Sequence, residues 1–169
     1  SSSATRWALQ TPPDQTAADL VTQWMREAGL QVSEDALGTV HGRIGAGRRL
    51  LIGSHLDSVV DGGNYDGPLG VIAGTLAVGH FGGKPPLPID VLAFGDEEGS
   101  RFPSTLSSSA ACAGAFETET LKLADGNGIT FADALKAYGK NASDIAKAAY
   151  QRGDALGYVE VHIEQGPQL

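Results

Sequence analysis

Hydrophobic positions along this chain follow two rhythms, one of helices and one of short buried strands. From Thr16 to Ala28, TAADLVTQWMREA places Leu20, Val21, Trp24 and Met25 on one helical stripe, and Gly29 follows as a stop. GTVHGRI (38–44) reads as a strand, and RRLLIGSH carries a short apolar run at Leu50–Ile52. LGVIAGTLAVGHFGG (69–83) is apolar almost throughout. It reads as a buried helix with Pro68 in its first turn, running to about His80. KPPLP is a rigid connector, and IDVLAF (89–94) is the clearest buried strand. STLSSSAACAGA (104–115) predicts a small-residue helix that packs closely against a neighbour. Thr130 is placed to cap FADALKAYG, which Gly139 ends, and Ser143 to cap DIAKAAY. YVEVHI (158–163) predicts a last strand. Strands alternating with helices predict an α/β layered domain with a largely parallel (mixed) sheet and flanking helices. An α+β sheet is the alternative.

Composition narrows the function. The 169 residues suit one domain with a sizeable core, and 41% apolar residues is an ordinary globular value. Twenty acids against twelve bases give a formal charge of −8. Phosphate binding needs a basic face, so nucleic acid is not an expected partner, and neither is an anionic membrane surface. An anionic small molecule remains possible if metal ions invert the local field. Cys112 is the only cysteine, which rules out an internal disulfide and a thiolate cluster and fits a reducing, cytoplasmic setting. The apolar stretch 69–83 is too short and glycine-rich to span a bilayer. SSSATRW lacks the apolar core of a signal peptide. The sequence also lacks an initiating methionine, so its natural start is expected upstream.

The chemistry concentrates at three strand ends. LLIG is followed by SHLD, VLAFG by DEEG, and YVEVHI carries His162 near its end and is followed by EQG. Ligands of open α/β sheets bind outside the carboxyl ends of the strands, so three distant segments are expected to meet in one crevice. Taken singly, each has a plain structural reading. His55 and Asp57 fit a loop histidine with a capping carboxylate, although a spacing of two also lets Asp57 orient the imidazole. Asp66-Gly67-Pro68 fits a turn and helix cap. His162 fits a satisfied core histidine. Glu97-Glu98 is harder to place structurally, because adjacent carboxylates repel. Two roles suit them, one as a cation ligand and one as a general base.

Together the pieces point to metal chemistry. Histidines and carboxylates without cysteine suit zinc, manganese or cobalt. His55, His162, Asp66 and Glu98 exceed the three protein ligands usual for one catalytic zinc, whereas a two-metal site with a shared carboxylate would use all four. Such a site makes water acidic, and a neighbouring Glu takes its proton and passes it to a leaving nitrogen, as in metal-assisted amide hydrolysis. No G-x-S-x-G elbow and no phosphate-binding G-x-x-x-x-G-K-[ST] loop is present.

GSHLDSVVDGGNYDGPLGV, FGDEEGSRFPSTL and YVEVHIEQGP resemble the signature blocks of the allantoate amidohydrolase, N-carbamoyl-L-amino-acid hydrolase and β-ureidopropionase family. These are di-metal amidohydrolases related to the aminoacylase and carboxypeptidase class. RWALQTPPDQTAADLVTQWMREAGL is similar to the family's N-terminal helix region. The resemblance implies two divalent ions, zinc or manganese, with cobalt or nickel as substitutes. It implies that His55 and His162 bind one ion, that Asp66 bridges both and that Glu98 binds the second. Glu97 would be the catalytic base, Asp57 a support for His55 and Gln165 a substrate contact. It also implies a cis Asp66–Gly67 peptide, a ureido or N-carbamoyl substrate, and a homodimeric full-length protein. Ala110 in LSSSA stands where the family often has arginine, as in some allantoate-cleaving relatives. Family members are more than twice as long. Residues 1–169 are therefore expected to be an incomplete catalytic domain, lacking the lid and dimerisation domain and the late histidine of the second metal site. An aminoacylase or dipeptidase, or an inactive metal-binding module, is the competing reading.

Overall fold

The computed structural model describes residues 15–166. The opening SSSATRW and the first part of the segment RWALQTPPDQ lie outside them. The elements are α1 (Gln15–Glu27), β1 (Gln31–Glu34), β2 (Val40–Ile44), β3 (Arg49–His55), α2 (Pro68–His80), β4 (Ile89–Phe94), α3 (Ser107–Cys112), α4 (Phe131–Ala137) and β5 (Ala155–Val159). Two 3-10 helices, Thr118–Lys122 and Ala142–Ala148, flank α4. The strands form one sheet in the order β1-β2-β4-β3-β5. β4–β3 and β3–β5 pair in parallel, while β1–β2 and β2–β4 pair antiparallel. This is the expected mixed α/β layer. It brings the carboxyl ends of β3, β4 and β5 to one edge of the sheet.

Helices α1 and α2 cover one face. Val21 and Met25 of α1 are buried there with Leu30, Val40, Val71, Val78 and Val91, whereas Leu20 and Trp24 of the predicted stripe stay partly exposed. Burying a side chain such as Met25 contributes about 1.5–3 kcal/mol. Helix α2 departs from the all-round burial expected of it. Gly70, Val71, Gly74, Thr75 and Val78 face the sheet, but Leu76 is 67% exposed. The glycines explain the close seating: a Cβ on Gly74 would come within 2.8 Å of Ile52 Cγ2, and one on Gly70 within 2.4 Å of the Val161 carbonyl oxygen. The other face is covered by α3 and α4, through Leu51, Leu92, Phe94 and Cys112 and a second cluster around Phe102, Phe131 and Leu135.

Several local expectations need correction. Strand β1 went unread because QVSE is polar and lies at the sheet edge. The small-residue helix spans only Ser107–Cys112. Leu106, in left-handed backbone with φ 59°, precedes it, and its amide is tied to the Glu97 carbonyl at 2.9 Å. Asn141 rather than Ser143 caps the segment after α4, accepting the Ser143 N–H at 3.0 Å. Thr130 caps α4 as expected, accepting from the Asp133 amide at 3.1 Å. The last strand is Ala155–Val159 rather than 158–163. Past Val159 the backbone ladder gives way to side-chain contacts with the end of β3. No helix among the described residues is long and apolar enough to cross a membrane.

Candidate active site

His55 is the last residue of β3 and is buried. Its Nδ1 lies 2.7 Å from the Asp57 main-chain carbonyl, which can only accept, so Nδ1 carries the proton and Nε2 presents a lone pair. His162, three residues beyond β5, is held the same way: its Nδ1 donates to the Ile163 carbonyl at 2.9 Å. The two Nε2 atoms then face each other at 3.2 Å, with rings stacked at 27°. Asp66 Oδ1 lies 3.3 Å from His162 Nε2 and 3.8 Å from His55 Nε2. Two lone pairs and a carboxylate converging on one point repel each other unless a proton or a cation sits among them. The arrangement therefore fits a metal ion on its donor chemistry. His55 joins Glu97 and Glu98 in a second group with the same capacity. One buried oxygen of Glu98, Oε1, has no hydrogen-bond partner among the described residues.

Asp57 is fully buried, and its carboxylate stands beside the imidazole while also serving the loop after β4. Oδ1 is 3.6 Å from His55 Nδ1. The carboxylate accepts the main-chain N–H of Glu97 (3.1 and 3.0 Å) and of Glu98 (2.9 Å). With Leu106 N–H on the Glu97 carbonyl, the backbone of Glu97 is clamped on both sides. Two residues separate this dipeptide from the end of β4, so a carboxylate just past β3 fixes the loop after β4.

Asp66 does not cap α2; Gly67 occupies that position without a side-chain cap bond. The Asp66–Gly67 peptide is trans, since no cis bond occurs among the described residues. The chain reverses instead through Gly67 itself, at φ 82° and ψ −64°. A Cβ there would meet His55 Nδ1 and the His55 carbonyl at 2.5 Å. Gln165 donates through Nε2 to Asp66 Oδ1 at 3.1 Å. Asp61 stands apart as an exposed turn residue with φ 64°.

The electrostatics follow from this crowding. Burial would lower the His55 pKa, but the hydrogen bonds and charge of Asp57, with Glu97, raise it to about 9, so without a cation a proton occupies Nε2, and a bound ion would take its place. Burial, then the charges of Glu97 and Asp66, raise Glu98 to about 7. Glu97 is raised by burial too, with Asp57 and Asp66 adding to it and the two histidines opposing. Asp96, fully buried beside them, is pushed to about 7 by burial and by the charge of Asp57.

A cavity of about 610 Å³ opens over the group, lined by His55, Glu97, Glu98, His162 and Gln165. That size suits a small-molecule ligand. Leu106, Ser109, Tyr158 and Glu160 also line it, and sequence reasoning assigned none of them a role. Glu160 is held between the Ser54 hydroxyl (2.9 Å) and the Tyr158 hydroxyl (2.8 Å). Its place two residues before His162 was the available signal. Ala110, beside Ser109 on α3, is half-buried.

No family model matches the chain. Over 94% of its length it is 45% identical to an N-carbamoyl-L-amino acid amidohydrolase of Geobacillus stearothermophilus, spanning 41% of that protein. Over 95% of its length it is 42% identical to an allantoate deiminase of Arabidopsis thaliana, spanning 33% of it. The crystal structure of a hydantoinase/carbamoylase family amidase from Burkholderia ambifaria matches with a TM-score of 0.81 at 36% identity, covering 96% of this chain and 41% of that one. The chain thus covers well under half the length of these relatives. Over nearly its whole length the chain is similar to the N-terminal part of allantoate and N-carbamoyl-L-amino-acid amidohydrolases.

Proposed function

We propose that this chain is the N-terminal part of the catalytic domain of a metal-dependent amidohydrolase that cleaves the ureido C–N bond of allantoate or of an N-carbamoyl amino acid. The observation that carries the reading is the convergence of two Nε2 lone pairs on the Asp66 carboxylate, with Glu97 and Glu98 on the same cavity. The activities for which the relatives are named supply the bond class.

His55 and His162 would hold one divalent ion, Asp66 would bridge to a second, and Glu98 would bind that second ion. Zinc or manganese suits these nitrogen and oxygen donors. When bound, such ions supply Lewis acidity, polarising a carbonyl and making water reactive at neutral pH. Glu97 would take the proton of the attacking water and deliver it to the leaving nitrogen. Burial raises its pKa toward the working pH, as a general base requires. The Glu97 backbone clamp fixes where that carboxylate stands. Gln165 spends its amide N–H on Asp66, leaving its carbonyl to accept a ureido N–H. Attack at the ureido carbon releases the amine with ammonia and carbon dioxide equivalents. The remaining ligand of the second ion, the lid and the dimer contacts would come from the rest of the full-length protein.

The test is ammonia release by full-length protein from allantoate, N-carbamoyl-L-amino acids and N-carbamoyl-β-alanine, before and after chelation and after adding back manganese or zinc. Turnover that chelation removes and metal restores is expected. Metal binding without ureido turnover would overturn the enzyme reading. Cleavage of acyl-amino acids or dipeptides instead would move the protein to the aminoacylase class.

A further inference from the structure

A second group of metal-capable side chains lies on the opposite face of the sheet from α1 and α2. Asp35 at the β1–β2 turn, His41 of β2 and Cys112 of α3 bring a carboxylate oxygen, an imidazole nitrogen and a thiol sulfur within 4.8 Å of one another. None of the three lines the cavity described above. His41 and Cys112 are buried, and Asp35, at its turn, keeps 10% of its side chain exposed.

Two of the three donors, Asp35 and His41, have partners behind them. Asp35 Oδ1 accepts the amides of Leu37 (2.8 Å) and Thr39 (3.0 Å), leaving Oδ2 at 3.1 Å from His41 Nε2. On the far side of the ring, His41 Nδ1 faces the Tyr150 hydroxyl at 3.4 Å, and Tyr150 donates to the buried Asp90. Nε2–H donates to Asp35 Oδ2 here, and a shift of that proton to Nδ1, directed at the Tyr150 hydroxyl, would free Nε2 to ligate. This is the hydrogen-bonded backing that metal-bound histidines and carboxylates characteristically have. Arg43, bound to Asp90 through Nε at 2.9 Å, flanks the Nδ1 side and approaches that nitrogen to 3.5 Å.

Two carboxylates and two guanidiniums meet around this cluster. Asp35 and Asp90 are opposed chiefly by the partly exposed Arg43, with Arg49 3.9 Å from Asp90. Asp90 Oδ1 and Thr39 Oγ1 are buried without a hydrogen-bond partner among the described residues, which is costly where nothing compensates. Burial, then the charges of Asp35 and Asp90, push the Cys112 thiol to about 12. A divalent ion reverses such a field and deprotonates a thiol that it binds.

We propose that Asp35, His41 and Cys112 bind a borderline-soft divalent cation of the zinc, cobalt or cadmium type, separate from the proposed catalytic cavity. A sulfur, nitrogen and oxygen donor set suits these ions. The ion would join the β1–β2 turn to α3, two segments far apart in the chain, and stabilise the fold by binding only the folded state.

The test is cobalt titration of chelator-treated full-length protein, followed by the thiolate-to-cobalt charge-transfer absorption. The nitrogen and oxygen donors of the catalytic cavity cannot produce that band. Expected is a band that saturates with one ion per chain and is absent from Cys112→Ser. Half-saturation should rise about 10–100-fold in Tyr150→Phe, as for loss of a supporting hydrogen bond, and further in Asp35→Asn and His41→Gln. No band in the wild type, or the same band in Cys112→Ser, overturns the proposal. So does a half-saturation that Tyr150→Phe, Asp35→Asn and His41→Gln all leave unchanged. Cys112→Ser and Tyr150→Phe change one atom each, so that pair decides the matter if the other variants do not fold.

Discussion

Replacing Asp57 by asparagine tests how the site is held together. The wild-type carboxylate takes two main-chain donors, the amides of Glu97 and Glu98, at 2.9–3.1 Å, with no exposure to water. Asparagine keeps one oxygen, so one amide remains bonded and the other faces an NH2 group. A buried donor left unsatisfied costs about 1–3 kcal/mol, and exchanging a charged acceptor for a neutral one costs about 1 kcal/mol more. The expected local loss is about 2–4 kcal/mol. At about 1.36 kcal/mol per factor of ten, this corresponds to roughly 30- to 900-fold faster amide exchange at Glu97 and Glu98. The bond from His55 Nδ1 to the Asp57 carbonyl is main-chain and survives the change. Hydrogen exchange resolved at Glu97 and Glu98 is the assay, read beside turnover in the full-length protein. Turnover should fall as the base loses its clamp. If those two amides exchange at wild-type rates while activity drops, the loss runs through His55, and the clamp argument is refuted.

Four further outcomes are expected. Glu97→Gln keeps metal but loses about 10²–10⁴-fold in turnover, and a near wild-type rate removes Glu97 from the base role. His162→Ala weakens metal binding because one of the two facing Nε2 atoms is gone, and unchanged stoichiometry and affinity in a calorimetric titration count against its ligand role. Gly67→Ala destabilises by more than about 2 kcal/mol in urea denaturation, since its φ is 82° and the new Cβ meets His55 at 2.5 Å; a change under about 0.5 kcal/mol contradicts that geometry. In chelator-treated protein, Asp96 titrates at about 7 against 3.8 when unperturbed, so between these values the folded state holds a proton that the unfolded state has released, and stability falls as pH rises. Thermal stability of the wild type relative to Asp96→Asn should therefore decline from pH 4 to pH 8, and a pH-independent difference refutes it.

The residues that were legible in the sequence are those whose place follows from a strand end. His55, Glu97, Glu98 and His162 each follow or close an apolar run, and parallel pairing of β3 with β4 and β5 carries those ends to one edge. What was not legible depends on where the chain turns after the strand. The spacing of two between His55 and Asp57 correctly suggests a shared side, yet the carboxylate serves the loop after β4, forty residues away, and no local pattern encodes that partner. Likewise, Asp66 looks like a cap until the positive φ of Gly67 turns it toward the histidines.

The case of His162 shows why alternation alone was insufficient. Polar and apolar positions alternate through YVEVHI, but that rhythm fixes only which residues share a side, not which strand they meet or at what offset. The offset is set by pairing Leu51 with Tyr158 and Ile52 with Val159, after an irregularity between Arg49 and Leu50. Carried three residues further, the same register puts position 162 opposite His55. A slip of one residue would turn His162 to the other side of the sheet and bring Glu160 or Glu164 out of step with it. The metal-capable pair therefore depends on one extra residue of β5, Leu156, fitted between the partners of Arg49 and Leu50, and removing that irregularity should abolish the pair while leaving the site motifs intact.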